Sequence, residues 1–258
     1  MTTPKPLKPF LDNLYHRFHR TEYLSHDPVG FLHRYPAVND REVVGMIAMA
    51  HALGRVESIL EVIGRVLNWL GFKPYERLMT GSLPRHFFSS SPRYYRFFTE
   101  DALRGFLVGL SRTLQRWGSL EAGFGLVGSL WERLDRWLIA IRQSCPADPG
   151  MLLPLGKKSS PLKRPLLFLR WMVRSDNIDP GGWNNLSPRE LYLPLDTHLF
   201  EWGKKQGIIP QKSPNRLACV QLTQYFQAIE PNDPCRYDFS LAQWGMAQNR
   251  GQKGPSGI

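Results

Sequence analysis

Cysteine is scarce in this chain of 258 residues: three occur, Cys145, Cys219 and Cys235, and no two of them form a Cys-x-x-Cys pair. An odd, scattered set argues against a disulfide framework and a thiolate metal site, and it fits a reducing cytoplasm. No run of about 18 apolar residues occurs, so no membrane-spanning helix is expected. The stretch from Met1 to Phe10 lacks the apolar core of a signal peptide, which again points to the cytoplasm. The histidines are dispersed, with His16 and His19 the one close pair, and no metal site or cofactor is expected. Acidic residues are outnumbered: 22 Asp and Glu stand against 33 Lys and Arg, a formal net charge of +11. Such an excess favours a polyanionic partner, nucleic acid foremost.

The alternation that marks strands is nearly missing as well. Apolar residues recur instead at helical spacing. Asp40 reads as the N-cap of a helix with Val43, Val44, Ile47 and Ala50 inward. After Gly54 comes a helix carrying Ile59, Val62, Ile63, Val66, Leu67 and Leu70, stopped by Gly71 and Pro74. A third begins near Glu100 with Leu103, Phe106, Leu107, Leu110 and Leu114 inward. A fourth is expected from Leu120 to Ile141, with Phe124, Val127, Trp131, Leu134 and Leu138 on its inner face. Cys145 to Pro161 breaks the pattern with prolines, glycines and serines and reads as a loop or hairpin. Further helices are expected from Lys163 to Arg174, Asp196 to Gly207, Asn215 to Ile229 and Asp233 to Gln248. The chain is therefore read as all-α, with about ten helices in one domain over residues 1–248 and a disordered tail over 249–258.

Two segments carry the chemistry. One runs from Pro161 through Lys163, Arg164 and Pro165 to Arg170, Trp171 and Arg174. The other is Leu193-Pro194-Leu195-Asp196-Thr197-His198-Leu199-Phe200. An Asp at a helix start is first of all an N-cap, because its oxygen accepts from the free amides of the first turn. Pro165 lacks an amide proton and is tolerated only in a first turn, which places Lys163 at a helix start.

The second segment resembles the Val-Asp-Thr-His stretch of the helix-hairpin-helix DNA glycosylases, and the first resembles the helix that carries their catalytic lysine. Lys163 precedes Asp196 by 33 positions, a gap similar to that of the archaeal 8-oxoguanine DNA glycosylases. Together with Trp183, His26 to Phe31, Gly118 to Glu121 and Asp233 to Phe239, these segments look most like a bacterial family of the domain of unknown function 2400 type, over about residues 20 to 247. Leu153-Pro154-Leu155-Gly156-Lys157 departs from the superfamily's Leu-Pro-Gly-x-Gly hairpin by retaining one glycine, and the four-cysteine iron–sulfur motif is missing. The resemblance implies a helix-hairpin-helix fold in which two helical lobes flank a DNA-facing cleft. It further implies excision of a damaged base, with Lys163 as Schiff-base nucleophile and Asp196 as activating carboxylate.

The chemistry suits these residue types. Cleaving an N-glycosidic bond builds positive charge on the sugar, which a carboxylate stabilises. An amine in a cation-rich, desolvated setting can attack C1′. The base must first leave the stack for an apolar or aromatic pocket, for which Trp171 and Trp183 are candidates. Lys157, Lys158, Arg164, His198, Lys204 and Lys205 are candidate contacts to DNA. The segment from Arg85 to Phe98 interleaves basic and aromatic residues, and its aromatics read as core rather than as a stacking platform. The expectation is a monomeric, nucleoid-associated bacterial glycosylase with abasic-site lyase activity on double-stranded DNA, acting on an oxidised purine such as 8-oxoguanine. Specificity for an alkylated base or uracil, a helical DNA-binding module without catalysis, and a partner-binding helical protein with incidental charge are the competing readings.

Overall fold

The computed structural model describes residues 7–81, 83, 93–156 and 159–249. Helices dominate them: α1 (Lys8–Phe18), α2 (Val38–His51), α3 (Val56–Leu70), α4 (Pro74–Met79), α5 (Glu100–Trp117), α6 (Leu120–Phe124) and α7 (Leu130–Ser144). After a long connection come α8 (Lys163–Val173), α9 (Thr197–Lys205), α10 (Arg216–Ile229) and α11 (Asp238–Asn249). A small antiparallel hairpin, β1 (Arg93–Tyr95) with β2 (Phe98–Thr99), precedes α5. The fold is all-α, and among the described residues no helix is long and apolar enough to cross a membrane.

Helix α2 is the hub. Every side chain from Glu42 to His51 is buried, as a helix covered on all sides requires. It packs on α3, α4 and α8. Around it α5 lies against α7 and α4, α1 against α11, and α11 against α9. The inner faces read from α3 and α5 are buried residue for residue. Caps define the starts: Thr99 accepts from Ala102 N, Asn215 from Ala218 N, and Ser129 with Glu132 forms a reciprocal capping box at α7.

Four local expectations are corrected. Asp40 does not cap its own helix, which starts after Ala37. Its Oδ1 accepts from Tyr75 N at 2.9 Å, so it caps α4 across space. The single helix expected from Leu120 to Ile141 is two, α6 and α7. Gly125 (φ 69°) and Gly128 (φ 101°) adopt backbone conformations that a helix excludes, which leaves Val127 exposed. Helix α11 starts at Asp238 rather than Asp233, because Asp233 is drawn onto Arg174 at 3.0 Å. In the aromatic segment, residues 84–92 lie outside the described residues. Tyr94, Tyr95 and Phe98 are core, as expected, but on the hairpin and not on a helix; the Tyr94 hydroxyl meets His51 Nε2 at 2.7 Å.

One buried carboxylate joins three distant parts of the chain. Glu42 accepts from Leu120 N, Glu121 N and Trp183 Nε1, each at 2.8 Å. The first two are free amides of the first turn of α6. Burial pushes the Glu42 carboxyl up to about 7 from its ordinary 4.5, outweighing the three N–H donors. Replacing Glu42 with Ala strands those donors and opens a void, a loss of about 3 kcal/mol. Calorimetry should show a melting point lower by roughly 6–12 °C. The sign of the pH effect follows from the raised value. The contribution of Glu42 is complete below about pH 4.5 and fades as pH rises through about 7. Glu42→Gln should flatten that part of the stability profile, and an unchanged slope in the variant would refute the assignment.

Candidate active site

A cleft of about 470 Å³ opens beside the start of α8. One face of α8 lines it, with Lys163, Leu167, Arg170 and Trp171 at helical spacing. The opposite walls come from Asp27, Leu53 to Ile59, Pro194 to Asp196, and Asp238 to Met246 of α11.

Lys163 is the first residue of α8, as Pro165 requires. The turn into the helix is forced: Leu162 adopts a left-handed conformation (φ 45°, ψ 41°). For a residue with a Cβ this costs roughly 1–2 kcal/mol. The buried Leu162 side chain holds the turn in place. No acidic residue follows in the first turn of α8, where Lys163 and Arg164 both face the positive end of the helix dipole. A local conflict of this kind is typical of positions where function overrides stability.

Asp196 does two jobs with two oxygens. Its Oδ1 accepts from Leu199 N at 2.8 Å, capping α9. Its Oδ2 lies 4.0 Å from Lys163 Nζ, with the lysine 41% and the aspartate 14% exposed. A pair this open to water contributes no more than about 1 kcal/mol to folding, so its importance lies in where it puts an amine and a carboxylate.

Three cleft groups escaped the sequence reading. Asp27 caps a 3-10 turn over Pro28–Arg34, its Oδ1 accepting from Val29 N at 2.9 Å, and burial pushes its carboxyl above the ordinary range. Asp238 is buried in an ion pair with Arg170, and burial still pushes its carboxyl up to about 6. Arg170 is itself buried and also holds Asp179 at 3.1 Å. An Asp before a proline signals a turn cap, so Asp27 was legible as local structure; nothing in the sequence placed it opposite Lys163. The cleft is thus less cation-rich than expected, since Asp27, Asp196 and Asp238 all border it.

The remaining candidates divide. Lys157 and Lys158 lie outside the described residues. Arg164 lines the cleft but does not offer a free cation: it is buried and donates to Ala50 O at 2.7 Å and Met151 O at 2.6 Å. That bond pair ties the connection after α7 to the end of α2. His198 is half-buried against Gly245 of α11. Lys204 and Lys205 are exposed, at the far end of α9 from Asp196, about 12 Å along the axis. Trp171 is buried and borders the cleft, whereas Trp183 does not reach it. Trp183 packs in the core on Phe124, Trp137 and Phe168, its N–H committed to Glu42. Gly156, the retained hairpin glycine, has a packing role: a Cβ there would lie 2.7 Å from Asp135 Oδ1. Beside the cleft, next to Gly54 and Val56, a second depression is lined by Arg55, Arg65 and Arg96 together with Glu61, which leaves it net basic.

A family model described as "Protein of unknown function (DUF2400)" matches residues 27–247. The chain belongs to this family. No curated protein and no solved structure matches it. The span matched to the DUF2400 family includes the cleft's charged side chains Asp27, Lys163, Arg164, Arg170, Asp196 and Asp238. Among the described residues no group of three or more His, Cys, Asp or Glu is arranged to hold a metal ion.

The two roles of Asp196 are separable. Asn caps helices as well as Asp does, so Asp196→Asn should unfold in urea within about 0.5 kcal/mol of wild type while the charge facing Lys163 is lost. Asp196→Ala should lose about 1 kcal/mol through the missing cap. Equal destabilisation by both variants would assign the stabilising role to the charge instead.

Proposed function

We propose that this protein is a DNA glycosylase with abasic-site lyase activity, built on a helix-hairpin-helix-like arrangement of two helical lobes about the cleft. The observation that carries the reading is the Lys163–Asp196 pair, 4.0 Å apart at the starts of two helices and bordering a cleft of about 470 Å³. A cleft of that size suits a single planar base.

In this reading a flipped nucleotide enters with its sugar at the mouth, beside Lys163, and its base inside. The Lys163 amine, relieved of a proton by Asp196, attacks C1′. The N-glycosidic bond breaks, the bonding pair leaves with the base, and the base takes up the proton that Asp196 carries, which leaves Asp196 ionised. Asp196 faces the positive charge that develops on the sugar. The resulting amine adduct opens to a Schiff base, and loss of a C2′ proton expels the 3′ phosphate by β-elimination. Water then frees Lys163. The basic depression of Arg55, Arg65 and Arg96 beside the cleft gives a backbone phosphate a place to rest. An oxidised purine such as 8-oxoguanine is the substrate favoured by the likeness of the two motif segments to the archaeal enzymes.

The test is borohydride trapping on duplexes bearing 8-oxoguanine, an abasic site or no lesion. Wild type should form a covalent adduct on the first two, and Lys163→Gln should form none. Salt-sensitive binding without an adduct on any duplex would instead indicate a DNA-binding module without lyase chemistry.

A further inference from the structure

The cleft does not draw DNA to itself by charge. Its lining holds three cations, Lys163, Arg164 and Arg170, against three carboxylates, Asp27, Asp196 and Asp238, and a balanced set gives a polyanion no net attraction. The depression beside it differs, with Arg55, Arg65 and Arg96 set against the one carboxylate of Glu61. Cleft and depression share a turn, the connection from α2 to α3: Leu53 and Gly54 line the first, and Arg55 lines the second. The β1–β2 hairpin is braced on that turn. Tyr95 Oη donates to Leu53 O at 2.8 Å, and a Cβ on Gly54 would lie 2.6 Å from Tyr95 Oη and 2.7 Å from Arg96 Nη1. The Arg96 guanidinium therefore rests on Gly54, the residue before Arg55, at the rim of the cleft.

The tip of the hairpin breaks a local rule. Tyr95 pairs with Phe98, so Arg96 and Phe97 make a two-residue turn. Such turns need a positive φ at their first position, which Asn, Asp and Gly fill most readily. Arg96 adopts φ 50°, one of two positive values outside glycine among the described residues. It is exposed, with its guanidinium 5.6 Å from the centre of the Phe97 ring. Strain kept for an exposed cation has no source in core packing and points to function. An arginine fork matches the oxygens of a phosphate. We infer that the β1–β2 hairpin is a DNA-holding element: Arg96 at its strained tip, with Arg55, grips a backbone phosphate next to the flipped nucleotide, and the Tyr95–Leu53 bond ties this grip to the cleft wall. This deepens the proposed reading and rests on its DNA substrate. Arg96 is a positioning residue, which sets where the sugar lies relative to Lys163 and touches no reacting atom.

The test measures binding of the full-length protein to a duplex bearing a tetrahydrofuran abasic analogue, by fluorescence anisotropy between about 50 and 200 mM salt. Borohydride trapping of wild type at a natural abasic site runs in parallel. Arg96→Gly removes the charge and suits the positive φ, so its melting temperature should equal or exceed that of wild type. Its affinity should nonetheless fall about 10-fold, and its plot of log K against log salt should be shallower by about 1. Arg55→Gln should lose affinity and slope to the same extent, and Arg96→Lys, which keeps the charge, should keep the wild-type slope. Wild-type affinity and slope in Arg96→Gly and Arg55→Gln, beside a trapped wild type, overturn the inference and leave the glycosylase reading standing. So does a binding loss in Arg96→Gly that comes with a lower melting temperature and that Arg96→Lys shares. Shallower slopes beside an untrapped wild type keep the DNA grip and overturn the lyase reading. A wild type without salt-dependent DNA binding overturns both.

Discussion

Arg170 in the last turn of α8 and Arg174 just past its end carry the electrostatic constraint on which the site depends. Both guanidinium groups are buried, and Asp179, which is fully buried, bridges them. Arg170 reaches further to Asp238 at the start of α11, and Arg174 to Asp176 at 2.7 Å and Asp233 at 3.0 Å. His19, just past α1, joins through Asp176 at 3.1 Å. Charges so deep are tolerable only when every partner is in place, and removing one strands the others at about 3–5 kcal/mol. The network therefore fixes α8, the loop after it and α11 in one arrangement. Because α8 and α11 are two walls of the cleft, it also fixes where Lys163 can be.

The cleft uses its carboxylates economically. Asp196 and Asp27 each tie one oxygen to a backbone N–H at the start of a turn, which fixes the other in direction. A capping aspartate is already ordered by the helix it caps, so little entropy is left to lose when its free oxygen meets an amine or a ligand. Asp238 commits its Oδ2 to Arg170 and serves as scaffold. Three carboxylates of one residue type thus face one cleft in different states, set by what holds their second oxygen.

Much of the local structure was written in short-range pattern. The stripes of α3 and α5, the stop at Gly71, the cap at Asp196 and the helix start forced by Pro165 all depend on residues a few positions apart. The errors share one cause. Asp40 caps a neighbouring helix, Arg164 turns inward to two carbonyls, and Trp183 enters the core on the strength of Glu42. In each case the partner lies between 13 and 141 positions away, where neither periodicity nor propensity carries information. The break at Gly125 and Gly128 is of another kind: glycine tolerates a helix interior, and only the observed positive φ reveals the stop.

The sequence by itself determined the helical class, the basic charge, and the presence of a lysine and an aspartate each at a helix start. Those properties follow from composition and from interactions within one or two turns. Only the tertiary structure decided that the two residues meet at 4.0 Å, that Asp27 and Trp171 border the same cleft, and that Trp183 does not. Such facts rest on the packing of α2, α8 and α11 and on buried charges that can be satisfied in one arrangement of the chain. That arrangement is a property of the whole fold, and no local stretch of residues contains it.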